Sequence, residues 1–557
     1  MTAGGRQRAG SGGGILAPLR LPLFRAVWIA NLVGSVGWLV QGVGAAWLMT
    51  TLAGTPALVA LVQTATMAPI LMFALLAGAL ADLWDRRWVL ILAQLWVAAA
   101  AFGLALVSAA GGLTPWLLLL FTFLIGTGAA LNGPAWQAVV REIVPRDELA
   151  AAVTLNAIGF NLARAFGPAV GGAVVAAYGS QAAFLSNAVS ALALVGVLLV
   201  WRRQLPADDL PRERLGSAVI TGLRYVGETP AIRAILTRAA VFGIAASAAL
   251  ALLPLVARDR MGGGPVIYGL LLGAFGIGAL LGAFVIHPLR HRRGAEDVIT
   301  LLSAMGGAAF VVIGLVPAHL PPVVLALAVA GTAWLGAFST FNITVQMRTA
   351  YWVQARVLSL YQTVVFGGMA VGAWAWGELA DVTSLETAYQ LAGAMLLASL
   401  VLHWWQPLQA GESPNLQPAT RLEPMPTLAV VPEEGPVLVQ IEYEVGPTRA
   451  PAFVAVMDEV GHLRRRNGAL RWRLFQDAAD GAHWVETFVL GDWVEHQRLR
   501  QRMTMADVAL EARAVAFHQG ASAPLRRYMI ARRHDSRYLL DEAESAAVAR
   551  TTTDGAA

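Results

Sequence analysis

Apolar residues fill stretches of membrane-spanning length at about 23–49, 57–81, 88–108, 115–138, 149–177, 181–201, 234–257, 265–289, 297–316, 322–346, 357–379 and 386–406. Charged residues are gathered in every second gap between them. The gaps near 50–56, 108–115, 177–182 and 317–322 contain no Arg, Lys, Asp or Glu. The alternate gaps carry Asp82, Asp85, Arg86 and Arg87, then Arg141 and Arg146, then Arg202 to Arg233, then Arg290, Arg292 and Arg293, then Arg348 and Arg356. A hydrocarbon core of about 30 Å takes roughly 20 apolar residues per helix, and Arg-rich short loops stay on the cytoplasmic side. The pattern predicts twelve transmembrane helices in a bacterial inner membrane with both termini in the cytoplasm.

The connection at 202–233 is the longest and most polar, with Pro206, Pro211 and Pro230, and divides the helices into six plus six. The two halves echo one another. Gly167-Pro168-Ala169-Val170-Gly171 in the fifth span returns as Gly368-Met369-Ala370-Val371-Gly372 in the eleventh, and the loop at 82–87 has a counterpart at 290–293. Six-span repeats related by an axis along the membrane normal are a known architecture of secondary transporters.

Beyond residue 406 the periodicity changes. Residues 407–435 are rich in proline and form an extended linker. Val437, Val439, Ile441, Tyr443 and Val445 alternate as one face of a strand. Residues 449–466 have helical spacing, 469–477 and 484–490 form two strands joined through Asp480-Gly481, and 492–502 and 505–518 are helical. Residues 525–530 supply a last strand, giving β-α-β-β-α-β. The predicted fold is an all-α membrane protein in two six-helix halves with a small C-terminal α+β ferredoxin-like soluble domain. Its segments are a disordered cytoplasmic N-terminus (1–22), halves at 23–201 and 234–406, a cytoplasmic central loop (202–233), a linker (407–435), the ferredoxin-like domain (436–534) and a disordered tail (535–557).

Composition narrows the function. Hydrophobic residues make up 57% of the 557 and charged residues 13%, where a soluble domain carries about 25% charged. The net charge of +5 belongs to the loops, and no basic helix with interleaved aromatics points to nucleic acid. The absence of cysteine removes thiolate catalysis and Cys-ligated metals. All 40 basic residues are Arg, so a Walker-type phosphate loop, which needs Lys, is excluded. No cofactor, metal site or catalytic constellation is expected. The expected partners are membrane lipid, a small-molecule substrate and a proton.

Two motifs carry a resemblance. Gly78-Ala79-Leu80-Ala81-Asp82-Leu83-Trp84-Asp85-Arg86-Arg87 resembles the G-x-L-x-D-R-x-G-R-R loop of the major facilitator superfamily, with Leu83 and Asp85 departing from it. Gly167-Pro168-Ala169-Val170-Gly171-Gly172 resembles that superfamily's antiporter motif, G-P-x-x-G-G. The first implies a gating latch built on Gly78, Asp82, Arg86 and Arg87; a simple positive-inside anchor is the alternative. The second implies export coupled to ion entry, through Gly167, Pro168, Gly171 and Gly172; a close-packing face is the alternative. The stretches Gln354–Tyr361 and Ile143–Leu149, with the appended domain, resemble the bacterial transmembrane secretion effector branch, which is enterobactin-exporter-like and macrolide-efflux-like. That resemblance implies outward transport of a drug, siderophore or secondary metabolite by alternating access. The C-terminal domain resembles dimeric α+β barrels of the antibiotic-biosynthesis-monooxygenase kind, which implies a homodimer. An oxygenase fused to a transporter, and a non-transporting sensor, are the alternatives.

Arg164 sits about 16 residues into the fifth span, near mid-membrane, where a charge is costly and by default functional. It is expected to face a central cavity and bind an anionic or acceptor-rich substrate, with Asn31, Asn156 and Gln41; an Arg satisfied by carbonyls at a helix contact is the alternative. Proton carriers are harder to find, and Asp82 and Glu378 are the candidates.

Overall fold

The computed structural model describes residues 16–83, 85–145, 148–201, 215–316, 319–408, 415–419 and 434–531. The expected disordered tail, most of the expected N-terminus and linker, residues 202–214 of the expected central loop, and the motif residue Trp84 lie outside the described residues, as does the side chain of Asp82.

The helical part comprises α1 (Pro22–Leu52), α2 (Pro56–Leu83), α3 (Arg86–Ala109), α4 (Pro115–Ile143), α5 (Leu149–Val200), α6 (Leu215–Gly227) and α7 (Pro230–Leu255). It continues with α8 (Pro265–Leu315), α9 (Leu320–Met347), α10 (Gln354–Val382), α11 (Leu385–Ala398) and the short α12 (Leu402–Trp405). Among the described residues eleven helical stretches are long and apolar enough to cross a bilayer. One of them, Ala151–Val200, has 50 residues. At 1.5 Å per residue it is about twice too long for one crossing. It is divided at Gly179, where φ of 80° is open to glycine and closed to most side chains. Gly294 does the same inside α8, with φ 81°. Two of the expected connections are thus single-residue breaks at glycine, and dividing Ala151–Val200 at Gly179 brings the membrane-length segments among the described residues to twelve.

Local chemistry explains several helix ends. Asp85, where the superfamily loop has glycine, caps α3: its carboxylate accepts from the Arg87 amide at 2.9 Å. Arg87 then donates to the carbonyls of Leu198 and Leu199, at 2.8 and 2.9 Å. A cation on the last, otherwise unpartnered carbonyls of a helix complements the helix dipole. This motif arginine ties α3 to the end of α5 within the first half.

At the end where α1 stops and α2 starts, charges do occur, and they neutralise one another. Arg258 pairs with Asp259 and donates to the Thr50 carbonyl; Arg260 pairs with Glu386 at 3.1 Å and donates to the Val316 carbonyl at 2.7 Å. At the opposite end of the second half, Glu296 joins Arg238 (2.6 Å), His403 (2.8 Å) and the Leu408 amide (2.6 Å).

The C-terminal module consists of β1 (Val437–Glu444), α13 (Ala450–Asn467), β2 (Arg471–Gln476), β3 (His483–Leu490), α14 (Trp493–Arg502), α15 (Met505–Val515) and β4 (Leu525–Ile530). The antiparallel sheet has the order β2-β3-β1-β4, the ferredoxin-like arrangement. The alternating face of β1 is buried as its pattern requires, with Val437, Val439, Ile441 and Tyr443 packed among Phe453, Met457, Trp472 and Phe488. Inside this core lies a closed ion cluster. Arg464 reaches both Glu486 (2.9 Å) and Glu511, while Trp472 and Tyr443 donate to Glu486 at 3.1 and 3.2 Å. Burial alone would lower the Arg464 guanidinium; the charges of Glu486 and Glu511 outweigh it and hold it well above the ordinary arginine range.

Two pieces of chain from the helical connections pack with this module: residues 220–230 and 348–354. Tyr225 is buried, accepts from the Ala350 amide at 3.1 Å, and meets Trp352 edge-on at 5.7 Å. Arg466 lies over the Tyr225 ring and Arg502 over the Trp352 ring, at 5.5 and 4.8 Å. Glu228 receives His462 (2.7 Å) and Arg465 (3.2 Å).

Candidate functional site

Residues of both six-helix halves line one cavity of about 790 Å³. Binding pockets run to roughly 300–1,000 Å³, so a small organic molecule fits. The first half contributes α1, α2, α3, α4 and α5; the second contributes α7, α8, α9 and α10. Pro168 of the glycine-rich motif is at its wall. Most of the lining is apolar, with polar groups in a definite pattern.

Carboxamides are the first element of that pattern. Asn187 donates to Gln41, linking the second arm of α5 to α1, and Gln94 donates to Asn132 at 3.0 Å, linking α3 to α4. All four line the cavity, with Asn31, Gln63, Asn342 and Gln362. Gln63 Nε2 is buried and has no partner among the described residues. Such groups offer donors and acceptors without charge, which suits polar decoration on a largely apolar compound.

Arg164 is the second element, and among the described lining residues it is the one charge. Its partners are aromatic faces. The guanidinium lies 4.4 Å from the Trp334 ring centroid and 5.3 Å from that of Phe160. Phe160 sits one helical turn earlier on α5, whereas Trp334 belongs to α9 in the other half. Trp334 is in turn braced edge-on by Phe275 at 5.9 Å and Phe338 at 5.0 Å. No carboxylate pairs with Arg164 among the described residues.

The halves meet most closely where α5 crosses α8. A Cβ on Gly172 would lie 2.6 Å from the Pro265 carbonyl oxygen, and one on Gly269 would lie 2.8 Å from that of Pro168. Backbone rests on backbone there, and any side chain at either position would force the helices apart. Gly167 and Gly171 turn to α1 instead, against Leu39 and Val43. The motif therefore serves two interfaces at once. Trp47 stacked on Tyr268 (6.4 Å) and Thr64 bonded to the Ala370 carbonyl (2.9 Å) are further ties between the halves.

Of the residues singled out in the sequence, the cavity brings together Arg164, Asn31 and Gln41. Asn156 does not line it. Eight residues along an α-helix turn the side chain about 80° from the starting direction, and the Asn156 Oδ1 is buried without a partner among the described residues. Glu378 is exposed on α10 and away from the cavity lining. Gly78 and Asp82 fall near the end of α2, and Arg86 and Arg87 begin α3. Sequence reasoning missed Trp334, Asn187, Gln94 and Asn132. The carboxamides were visible as polar interruptions inside apolar runs. Trp334 was visible as a tryptophan at mid-span, where the usual place for tryptophan is the membrane interface.

Residues 13–536 match the family model described as transmembrane secretion effector. The multidrug efflux pump Tap of Mycobacterium tuberculosis (strain ATCC 25618 / H37Rv) is 27% identical over 380 residues, 65% of this chain and 88% of Tap. The enterobactin exporter EntS of Shigella flexneri is 27% identical over 390 residues, 68% of this chain and 91% of EntS. Among solved structures, a POT family transporter in complex with 5-aminolevulinic acid is similar with a TM-score of 0.58 at 14% identity, covering 71% of this chain and 98% of that one. The nucleoside transporter NupG has a TM-score of 0.55 at 14% identity, covering 69% of this chain and 98% of that one. At such identities the likeness is one of fold.

Proposed function

We propose, for a chain that belongs to the transmembrane secretion effector family, that it exports a small amphipathic compound by alternating access. The chain is a multi-pass transporter of the major facilitator type, and its relatives are transporters rather than enzymes. The finer reading places it in the bacterial inner membrane with both termini in the cytoplasm. The compound is a drug, siderophore or secondary metabolite, in keeping with the names borne by Tap and EntS. The observation that carries this reading is the shared cavity, lined by carboxamides and rings from both halves, with Arg164 at its wall. Rocking of the halves about their close contact would expose that cavity to each side in turn.

Proton coupling belongs to the same proposal, with Asp82 and Glu378 as its carriers and the glycine-rich motif at Gly167, Pro168, Gly171 and Gly172 as the element linking ion entry to export. The motif at Gly78, Asp82, Arg86 and Arg87 is assigned the gating role. Pairing of two copies through the C-terminal module is supported by the sheet face opposite the helices, where Phe475, Leu525 and Met529 are exposed. The test is accumulation of a fluorescent drug in everted vesicles, with the pH gradient and the membrane potential collapsed separately. Accumulation that ignores the pH gradient removes proton coupling, and no accumulation of any compound removes export. Light scattering of the purified chain decides the dimer.

A further inference from the structure

We infer that Arg164 and Trp334 form a single acceptor-binding pair, one member from each half, and that the compound carried bears an acidic group beside a planar aromatic ring. The inference rests on the export reading and names its substrate class. Two observations lead to it independently.

The first is the state of Arg164. A guanidinium stacked on ring faces is held in place, at 4.4 Å from Trp334 and 5.3 Å from Phe160. Stacking uses the flat face of the group and leaves the N–H edge unspent. A planar acid with two oxygens is the group that edge fits best, through two parallel hydrogen bonds. A cationic compound would meet uncompensated positive charge in a low-dielectric chamber, and is disfavoured.

The second is the state of Trp334. It is 8% exposed and lines the cavity, yet its Nε1 is buried with no hydrogen-bond partner among the described residues. Buried indole N–H groups normally find an acceptor. Here the missing acceptor and the missing counter-charge belong to two side chains in contact, Trp334 and Arg164, and we assign one acidic group to both. The rings of Phe160, Phe275 and Phe338 around the pair give the aromatic part of the ligand its walls. Because the two donors come from different halves, an acid held by both would add a second tie between α5 and α9 to the Arg164–Trp334 contact already present.

The experiment uses the full-length protein in nanodiscs and two probes of the same shape, 1-naphthoate and the neutral 1-naphthamide, with binding read by equilibrium dialysis. The wild type is expected to bind the carboxylate at least tenfold more tightly than the amide. Arg164→Gln should bind the two probes equally. Trp334→Phe keeps a ring for the guanidinium and removes the N–H; it should keep the amide affinity and lose threefold to tenfold of the preference for the carboxylate. Amide binding in both variants reports that the chamber is intact. Equal binding of both probes by the wild type overturns the inference and leaves export standing, as does a Trp334→Phe protein that discriminates like the wild type. Failure of both probes to bind the wild type overturns it too, and the export reading falls with it only if vesicle accumulation is also absent.

Discussion

Two arginines, Arg464 buried in the C-terminal module and Arg164 half-buried at the cavity wall, are treated in opposite ways. Arg464 in the C-terminal module is 3% exposed and meets two carboxylates, Glu486 and Glu511; Trp472 and Tyr443 anchor the first of them. Arg164 in the helical bundle meets only rings among the described residues. Desolvating an ion costs several kcal/mol even after relaxation, so evolution has to supply either a partner or a reason. In the module the partner is built in, and the arginine is part of the core. At Arg164 no carboxylate is supplied among the described residues, which is what the proposal of an acidic ligand rests on. A buried charge is thus informative by what surrounds it, more than by being buried.

The comparison predicts very different mutational costs. The largest is expected for Arg464→Met, which strands Glu486 in the module core and leaves Glu511 with Arg526 as its remaining cation. The loss should be about 3–5 kcal/mol, read by hydrogen exchange of residues 437–444 in the full-length chain. Glu511→Gln keeps the Arg464–Glu486 pairing and removes the charged contacts of Glu511 with Arg464 and Arg526, so about 1.5–3 kcal/mol should be lost by the same measurement. Arg164→Met should leave the denaturation midpoint of the bundle within about 1 kcal/mol of wild type. The cation–π contact it gives up is worth about 0.5–2 kcal/mol, and relief of the desolvated charge opposes that loss. A large destabilisation by Arg164→Met would erase the contrast between the two sites.

The smallest effect sharpens the module's side of the contrast. Burial alone would raise the Glu495 carboxyl, but Arg502 (3.0 Å) and Arg498 (2.8 Å) outweigh it and hold it below the usual carboxylate range. A group lowered on folding stabilises the fold above its unfolded value, about 4.5, and that contribution disappears as the pH falls through the lower folded value. Glu495→Gln should therefore reduce the acid sensitivity of the module below pH 4.5, measured as the slope of its unfolding midpoint against pH.

What could be read in advance follows from what each feature depends on. The crossings and the β-α-β-β-α-β order were legible because hydrophobic period is local; the face of Val437, Val439, Ile441 and Tyr443 is buried as its alternation requires. The cavity positions of Arg164, Asn31 and Gln41 were legible because polar groups inside apolar spans have few other places to go. Trp334 and Asn187 were missed because their roles arise from residues distant in the chain: Arg164 lies 170 positions from Trp334, and Gln41 lies 146 from Asn187. Spacing along one helix misjudged Asn156, since a small angular drift per turn grows over two turns. The role of Asp85 as a helix cap was hidden because the loop was compared with a motif that has glycine there.

On the alternating-access proposal, the contact of Gly172 with Gly269 would also act as a mechanical fulcrum. Two glycine backbones in van der Waals contact offer no side chain to compress, and Gly276 against the Arg164 carbonyl repeats such a contact on the same two helices. Gly172 lies 23 residues from Leu149, the start of α5, a lever arm of about 35 Å at 1.5 Å per residue. A tilt of ~10° about such a point sweeps the far end of that arm through about 6 Å, close to the width of an aromatic ring. One pair of missing side chains near one end of the bundle would thus set the aperture at the other.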